Sequence, residues 1–115
     1  MTDFSLGTIA RVPFPYTDFP TLQHRPALVV ATGLGIEGDK LWVVMVTSAQ
    51  NRRWPGDVSL EQDHAAAGLP VPSLIRTEKI TAIDAGLAEW RGQIGEAMMV
   101  QVQAQLAINL RLAAS

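Results

Sequence analysis

The runs RPALVVAT (Arg25–Thr32) and LWVVMVT (Leu41–Thr47), joined by GLGIEGDK (Gly33–Lys40), decide the fold. Each run is short, rich in β-branched residues and bounded by turn formers, which is the pattern of a buried strand. The spacer is rich in Gly and acid and reads as a hairpin turn, so the two strands are expected to be antiparallel neighbours. Arg25 opens the first strand and Thr47 closes the second. A hairpin would therefore bring a guanidinium and a hydroxyl to one rim of a small sheet. A fixed cation beside a small hydroxyl suits a phosphate group. The plainer alternative is that Arg25 snorkels beside Pro26 and Thr47 is simply a β-branched strand end.

Working outward, GTIARV (Gly7–Val12) reads as the first strand. PFPYTDFPTLQH (Pro13–His24) holds three prolines, which do not sit inside a sheet ladder, and is expected to be a loop. Loops of that length are often functional. After Thr47, SAQNRRWPG (Ser48–Gly56) is a polar, basic loop with one aromatic, Trp54. DVSL (Asp57–Leu60) is a short strand and EQDHAAAGLPVP (Glu61–Pro72) a connector. SLIRTEKITAI (Ser73–Ile83) is a strand bent near Thr77, and WRGQIG (Trp90–Gly95) is the last strand. Then the period changes. Met99, Val102, Leu106, Leu110 and Ala113 recur at steps of three and four, which predicts an amphipathic helix from about Glu96 to Ala113. Glu96 and Arg111 suit its positive and negative ends. The expected fold is mainly β with a C-terminal helix, in a single domain spanning residues 1–115.

Composition narrows the function. The chain of 115 residues is long enough to bury a core without a metal or disulfide. Cysteine is absent, which removes disulfides, thiolate nucleophiles and cysteine zinc sites. His24 and His64 lie far apart in sequence and make a poor metal site. No apolar run approaches the roughly 18 residues of a membrane span. MTDFSLG lacks the basic-then-apolar order of a signal peptide, so a cytoplasmic protein is expected. The net charge of −2 argues against a dedicated duplex-DNA binder. Position matters more than the total. Arg25, Arg52, Arg53, Arg76 and Lys79 lie near predicted strand ends or loops, while Glu37, Asp39, Glu89 and Glu96 lie elsewhere. That distribution leaves room for a local basic groove.

Five ordered blocks carry a family resemblance: G-x-I-x-x-V-P-F-P-Y-T-D, H-R-P-A-L-V-V, V-T-S-A-Q-N, A-G-L-P-V-P-S-L-I-R-T-E-K-I, and I-G before the final helix. From Gly7 to about Leu110 the chain resembles the MazF/PemK toxins. The resemblance implies an SH3-like barrel of the MazF/PemK/CcdB kind and a homodimer. It implies the toxin of a type II toxin–antitoxin pair, acting as an endoribonuclease that cuts single-stranded RNA or mRNA at short motifs with no metal and no cofactor. The family's functional arginine falls on Arg25 and its threonine on Thr47. Its RNA groove is flanked by the loops that here are Pro13–His24 and Ser48–Gly56. The implied RNA contacts are Tyr16, His24, Ser48, Gln50, Asn51, Arg52, Arg53 and Trp54, with Lys79 added from the strand that follows. The implied partner is a cognate antitoxin with an acidic, disordered segment.

The chemistry is consistent with those residues. Metal-free cleavage uses the RNA's own 2′-hydroxyl, so the protein must align it, move protons and stabilise charge on the phosphate. Arg25 suits the last task, because its fork of donors matches two phosphate oxygens. A guanidinium holds its proton throughout the physiological range, which makes it a poor base. His24 is placed in sequence to carry a proton, although an exposed loop histidine is the favoured reading. Arg52, Arg53 and Trp54 suit a backbone clamp with a base-stacking aromatic, or a solvated loop with Trp54 tucked against the barrel. Phe14 and Tyr16 offer a second stacking site or an apolar lid. Arg76 and Lys79, three apart, face opposite ways in a regular strand, with Glu78 able to pair with either. Two other functions share the fold by resemblance: a gyrase poison, which does not need the Arg25/Thr47 pair, and a silent antitoxin-binding module.

Overall fold

The computed structural model describes residues 4–15, 22–60 and 62–114. Six strands form one antiparallel sheet: β1 (Thr8–Pro15), β2 (Leu22–Leu34), β3 (Lys40–Ser48), β4 (Asp57–Leu60), β5 (Ser73–Asp84) and β6 (Glu89–Gln93). Their order across the sheet is β4-β5-β3-β2-β1-β6. A single 3-10 turn, Ala85–Leu87, joins β5 to β6, and the helix α1 (Glu96–Ala114) ends the chain. The architecture is thus mainly β with one C-terminal helix, curled in a barrel-like way.

The central strands read as continuous apolar runs because both of their faces are covered. One face presents Ile9, Leu28, Val44, Val46 and Ile75, which pack with Met99 and Val102 of α1. The alternate positions, Ala10, Val12, Ala27, Val29, Leu41, Val43 and Met45, form a second cluster, against which Phe4, Ala85 and Ala88 pack. Period-two alternation therefore sorts one run into two cores.

The connector at residues 62–72 lies backbone to backbone against β6. A Cβ on Gly92 would run into the carbonyl of Ala67, and one on Gly68 into that of Arg91. Glycine at both positions permits this approach, and at Gly68 φ is +81° as well.

Two expectations need correction. The Pro13–His24 segment is not wholly a loop, because Pro13 pairs with His24 and Pro15 with Leu22. Residues 16–21, including Tyr16, lie outside the described residues. The ladder tolerates proline for a geometric reason. Antiparallel pairs alternate between hydrogen-bonded and non-hydrogen-bonded. Arg11↔Pro26, Pro13↔His24 and Pro15↔Leu22 all share one parity, so the missing N–H groups fall where none is required. Pairing of β1 with β6 stops at Arg11↔Glu89, before Pro13.

The second correction concerns α1. Met99 and Val102 are buried, but Leu110, on the same predicted stripe, is 69% exposed. Val100 and Ile108 are exposed too. Along the helix, the sheet of its own chain covers Met99, Val102 and part of Leu106 and bonds Asn109, but it leaves Leu110 open. The predicted bend in β5 is present as a register shift: Val44 pairs with Ile80, and the next residue, Met45, with Arg76. Thr77, Glu78 and Lys79 bulge between them.

Candidate functional site

β2 and β3 are in register at Ala27↔Met45. Continued by two residues, that register sets Arg25 across from Thr47. Both positions share the parity of Ala27, Val29, Val43 and Met45, so they lie on the face of the second cluster, at its end. On the flanking strands Arg25 pairs with Val12 and Thr47 with Leu74. Arg25 is half-buried and Thr47 is 6% exposed. The hairpin thus brings the two residues to one rim, as their places in sequence imply.

Thr47 is held from the loop that follows it. The Asn51 side-chain amide donates a hydrogen bond of 2.6 Å to Thr47 Oγ1. With one lone pair engaged in this way, the Thr47 hydroxyl proton can turn to another acceptor. The turn itself is closed by Asn51 N–H donating to the Ser48 carbonyl at 3.0 Å, and by Gln50 N–H donating to Ser48 Oγ at 3.2 Å. Gln50 and Asn51 are exposed and Ser48 is half-buried.

The same alternation separates two other candidates from the pair. His24 and Arg25 are consecutive in β2, so their side chains leave opposite faces, and His24 is exposed. Ser48 likewise faces away from Thr47 in β3. Lys79, half-buried, lies in the β5 bulge.

The loop's outer half is built on an ion pair that sequence inspection misses. Asp57 and Arg76 face each other across β4 and β5, and Arg76 Nη2 donates to Asp57 Oδ2 at 3.1 Å. The Asp57 side chain is fully buried and that of Arg76 is 8% exposed. Asp57 also accepts from Trp54 N–H at 2.8 Å, and Arg76 donates to the Arg52 carbonyl at 2.6 Å. The Arg76 guanidinium carbon sits 4.2 Å from the Trp54 ring centroid. Arg53 Nη2 donates to the Asp57 carbonyl at 3.2 Å. At the loop's end, Thr77 Oγ1 donates to the Gly56 carbonyl at 2.7 Å and accepts from Asn109 of α1 at 3.1 Å.

Arg76 is therefore not part of a basic groove, and its partner is Asp57 rather than Glu78. An ion pair this buried is held by neighbouring donors and acceptors, not offered to a ligand. The available signal was W-P-G-D, whose Pro-Gly marks a tight turn next to an acid. Arg52, Arg53 and Trp54 remain exposed, Trp54 at 39%. Among the described residues no group of three His, Asp or Glu side chains is placed to hold a metal ion.

A six-stranded antiparallel sheet followed by a C-terminal helix matches a known fold. The model of the PemK-like, MazF-like toxins of type II toxin–antitoxin systems matches residues 7–110. The chain belongs to this family. Among solved structures, MazF of Deinococcus radiodurans is 20% identical at a TM-score of 0.69, over 94% of this chain and 98% of that one. A mycobacterial endoribonuclease in complex with its cognate antitoxin is 18% identical at 0.69, over 93% and 94%. The MazF-mt6 toxin of Mycobacterium tuberculosis is 15% identical at 0.68, over 90% and 96%. No curated protein matches the chain in sequence. Among the described residues of this MazF/PemK member, no helix is long and apolar enough to cross a membrane.

Proposed function

We propose that this toxin-family chain is an endoribonuclease that cuts single-stranded RNA without a metal or cofactor. What supports the reading is family membership together with the β2–β3 register at Ala27↔Met45, whose continuation by two residues sets Arg25 across from Thr47. The substrate's 2′-oxygen attacks the adjacent phosphorus. The 2′-O–P bond forms, the P–O5′ bond breaks, the 2′-hydroxyl loses its proton and the leaving 5′-oxygen gains one. Arg25 holds two phosphate oxygens through its fork of donors as charge builds on them. Thr47, its oxygen fixed by Asn51, donates a hydrogen bond to the same phosphate. Arg52 and Arg53 attract the RNA backbone, and Gln50 and Asn51 line the approach.

The partners follow from the same reading. The protein acts in the cytoplasm as a homodimer, with the apolar groove between α1 and the sheet as the interface. A cognate antitoxin with an acidic, disordered segment covers the basic loop and blocks RNA by charge complementarity.

The test is incubation of the purified protein with a long single-stranded RNA in EDTA, followed by analysis of the cut ends. The expected products carry a 2′,3′-cyclic phosphate, or the 3′-phosphate from its hydrolysis, and a 5′-hydroxyl. Deoxyribose at the cut site abolishes cleavage while leaving binding largely intact. Activity lost in EDTA and restored by magnesium overturns the metal-free mechanism. Gyrase inhibition without RNA cleavage overturns the nuclease.

A further inference from the structure

The Trp54 indole is gripped by a cation and still partly open to solvent. The Arg76 guanidinium stacks on it at 4.2 Å, while 39% of the residue stays exposed. Arg76 cannot swing away, because Asp57, the Arg52 carbonyl and the ring all hold it. The backbone that carries the ring is fixed as well, since the Trp54 backbone N–H is tied to Asp57 and Pro55 and Gly56 turn the chain just beyond. A large aromatic on a loop is ordinarily hidden or mobile. This one is clamped from beneath by a buried ion pair.

We infer that Trp54 is a preorganised stacking platform for one unpaired nucleobase of a bound single-stranded RNA, with Arg76 as the residue that positions it. The inference rests on the RNA-cleaving function proposed above and deepens it by naming a base subsite. Stacking on an aromatic is how unpaired bases are gripped, and it is cheapest on a ring whose orientation is already fixed. The cation beneath the ring adds to its hold on the loop. Arg52 and Arg53 immediately precede the platform in sequence and supply positive charge for the RNA phosphates beside the stacked base.

The test uses the full chain and an RNA made non-cleavable by a single deoxyribose at its cut site. Trp54→Leu should bind it about fivefold to a hundredfold more weakly, and Trp54→Phe should recover most of the loss. Trp90→Leu, which removes an exposed tryptophan on β6, is the control and should bind within about twofold of wild type. An abasic scan of the RNA should find one nucleotide whose missing base weakens binding to wild type but not to Trp54→Leu. Arg76→Lys keeps the charge for Asp57 but loses the planar stack. It should weaken binding in the wild-type background and add little to Trp54→Leu.

Wild-type affinity in Trp54→Leu overturns the platform, as does an abasic scan with no position masked by that variant. So does a Trp54→Leu protein that loses affinity only for its acidic protein partner. If wild type cuts RNA and Trp54→Leu binds it normally, the subsite alone fails. If wild type neither cuts nor binds RNA, the proposed function fails with it.

Discussion

Asp57 and Arg76 are a directly opposed cross-strand pair, buried and 3.1 Å apart, and the loop after Thr47 is assembled around them. Removing one partner from such a pair leaves an unmatched charge in the interior. Asp57→Ala or Arg76→Leu should each destabilise the fold by about 3–5 kcal/mol. The double variant Asp57→Leu/Arg76→Met should lie closer to wild type than either, because no charge is then stranded. Denaturant unfolding measures all three. Single variants within about 1 kcal/mol of wild type, the scale of exposed pairs, would mean that water reaches the pair.

Arg25→Ala should slow cleavage by about a hundredfold or more, the scale for removing one transition-state donor. Arg25→Lys should rescue little, since an ammonium cannot make the bidentate contact. Near-normal single-turnover rates in either variant would move the active site elsewhere.

Thr47→Ala should cost less than Arg25→Ala, and Thr47→Ser least. The bond from Asn51 adds a sharper expectation. Asn51→Ala should slow cleavage by an amount close to Thr47→Ala, and the double variant should be no slower than the worse single one. Residues acting as one unit are non-additive in this way. Strictly additive effects in the cycle would separate Asn51 from Thr47 and make it an independent contact.

Much of this was legible in the sequence, and the gaps have identifiable causes. The β2–β3 hairpin was readable because its strands are apolar on both faces and its turn is rich in glycine and acid. The expectation that Arg25 and Thr47 share a rim came from their places at its open end, and the register at Ala27↔Met45 agrees with it when continued by two residues. Pro13 and Pro15 misled, because proline is excluded from a ladder only at the parity that donates, and parity is not visible until the register is known. His24 adjoins Arg25 in sequence, yet strand alternation turns it to the other face. The Asp57–Arg76 pair joins residues 19 apart, and only the β4–β5 register reveals it. Leu110 belongs to the apolar stripe of α1, and periodicity cannot say whether its own chain or another covers it.

Arg52 and Arg53 differ in setting, although they adjoin. Arg53 is drawn back to the Asp57 carbonyl at 3.2 Å, whereas Arg52 offers its carbonyl to Arg76 and keeps an exposed side chain. Replacing both with Ala should weaken binding to RNA and to the acidic partner. For RNA, the slope of log affinity against log salt should fall by about 0.7 for every phosphate no longer neutralised. Arg52→Ala alone should account for the larger share. Unchanged affinity and slope in the double variant would make the loop a bystander and shift the groove toward Lys79.

The last prediction concerns the homodimer. Trp42, Ile80 and Leu110 are 46%, 48% and 69% exposed, and they line one groove of about 440 Å³ with Val30 and Leu106. Large apolar side chains gathered in one place are uncommon on a monomer's surface and mark an interface. The groove joins three strands to the second half of α1, where Leu110 is left open by its own sheet. A second copy offers the same surface, so a two-fold axis through the groove would bury both sets at once. Leu110→Glu or Ile80→Glu would place two like charges in that contact, and each should shift the protein to monomer at micromolar concentration. Sedimentation equilibrium reads this directly, and circular dichroism confirms that the variants stay folded. Val100 is 58% exposed on the earlier part of α1 and lies outside the groove, so Val100→Glu should leave the mass unchanged. Dimers that persist in both groove variants, or a wild type that sediments as a monomer, would rule out this interface.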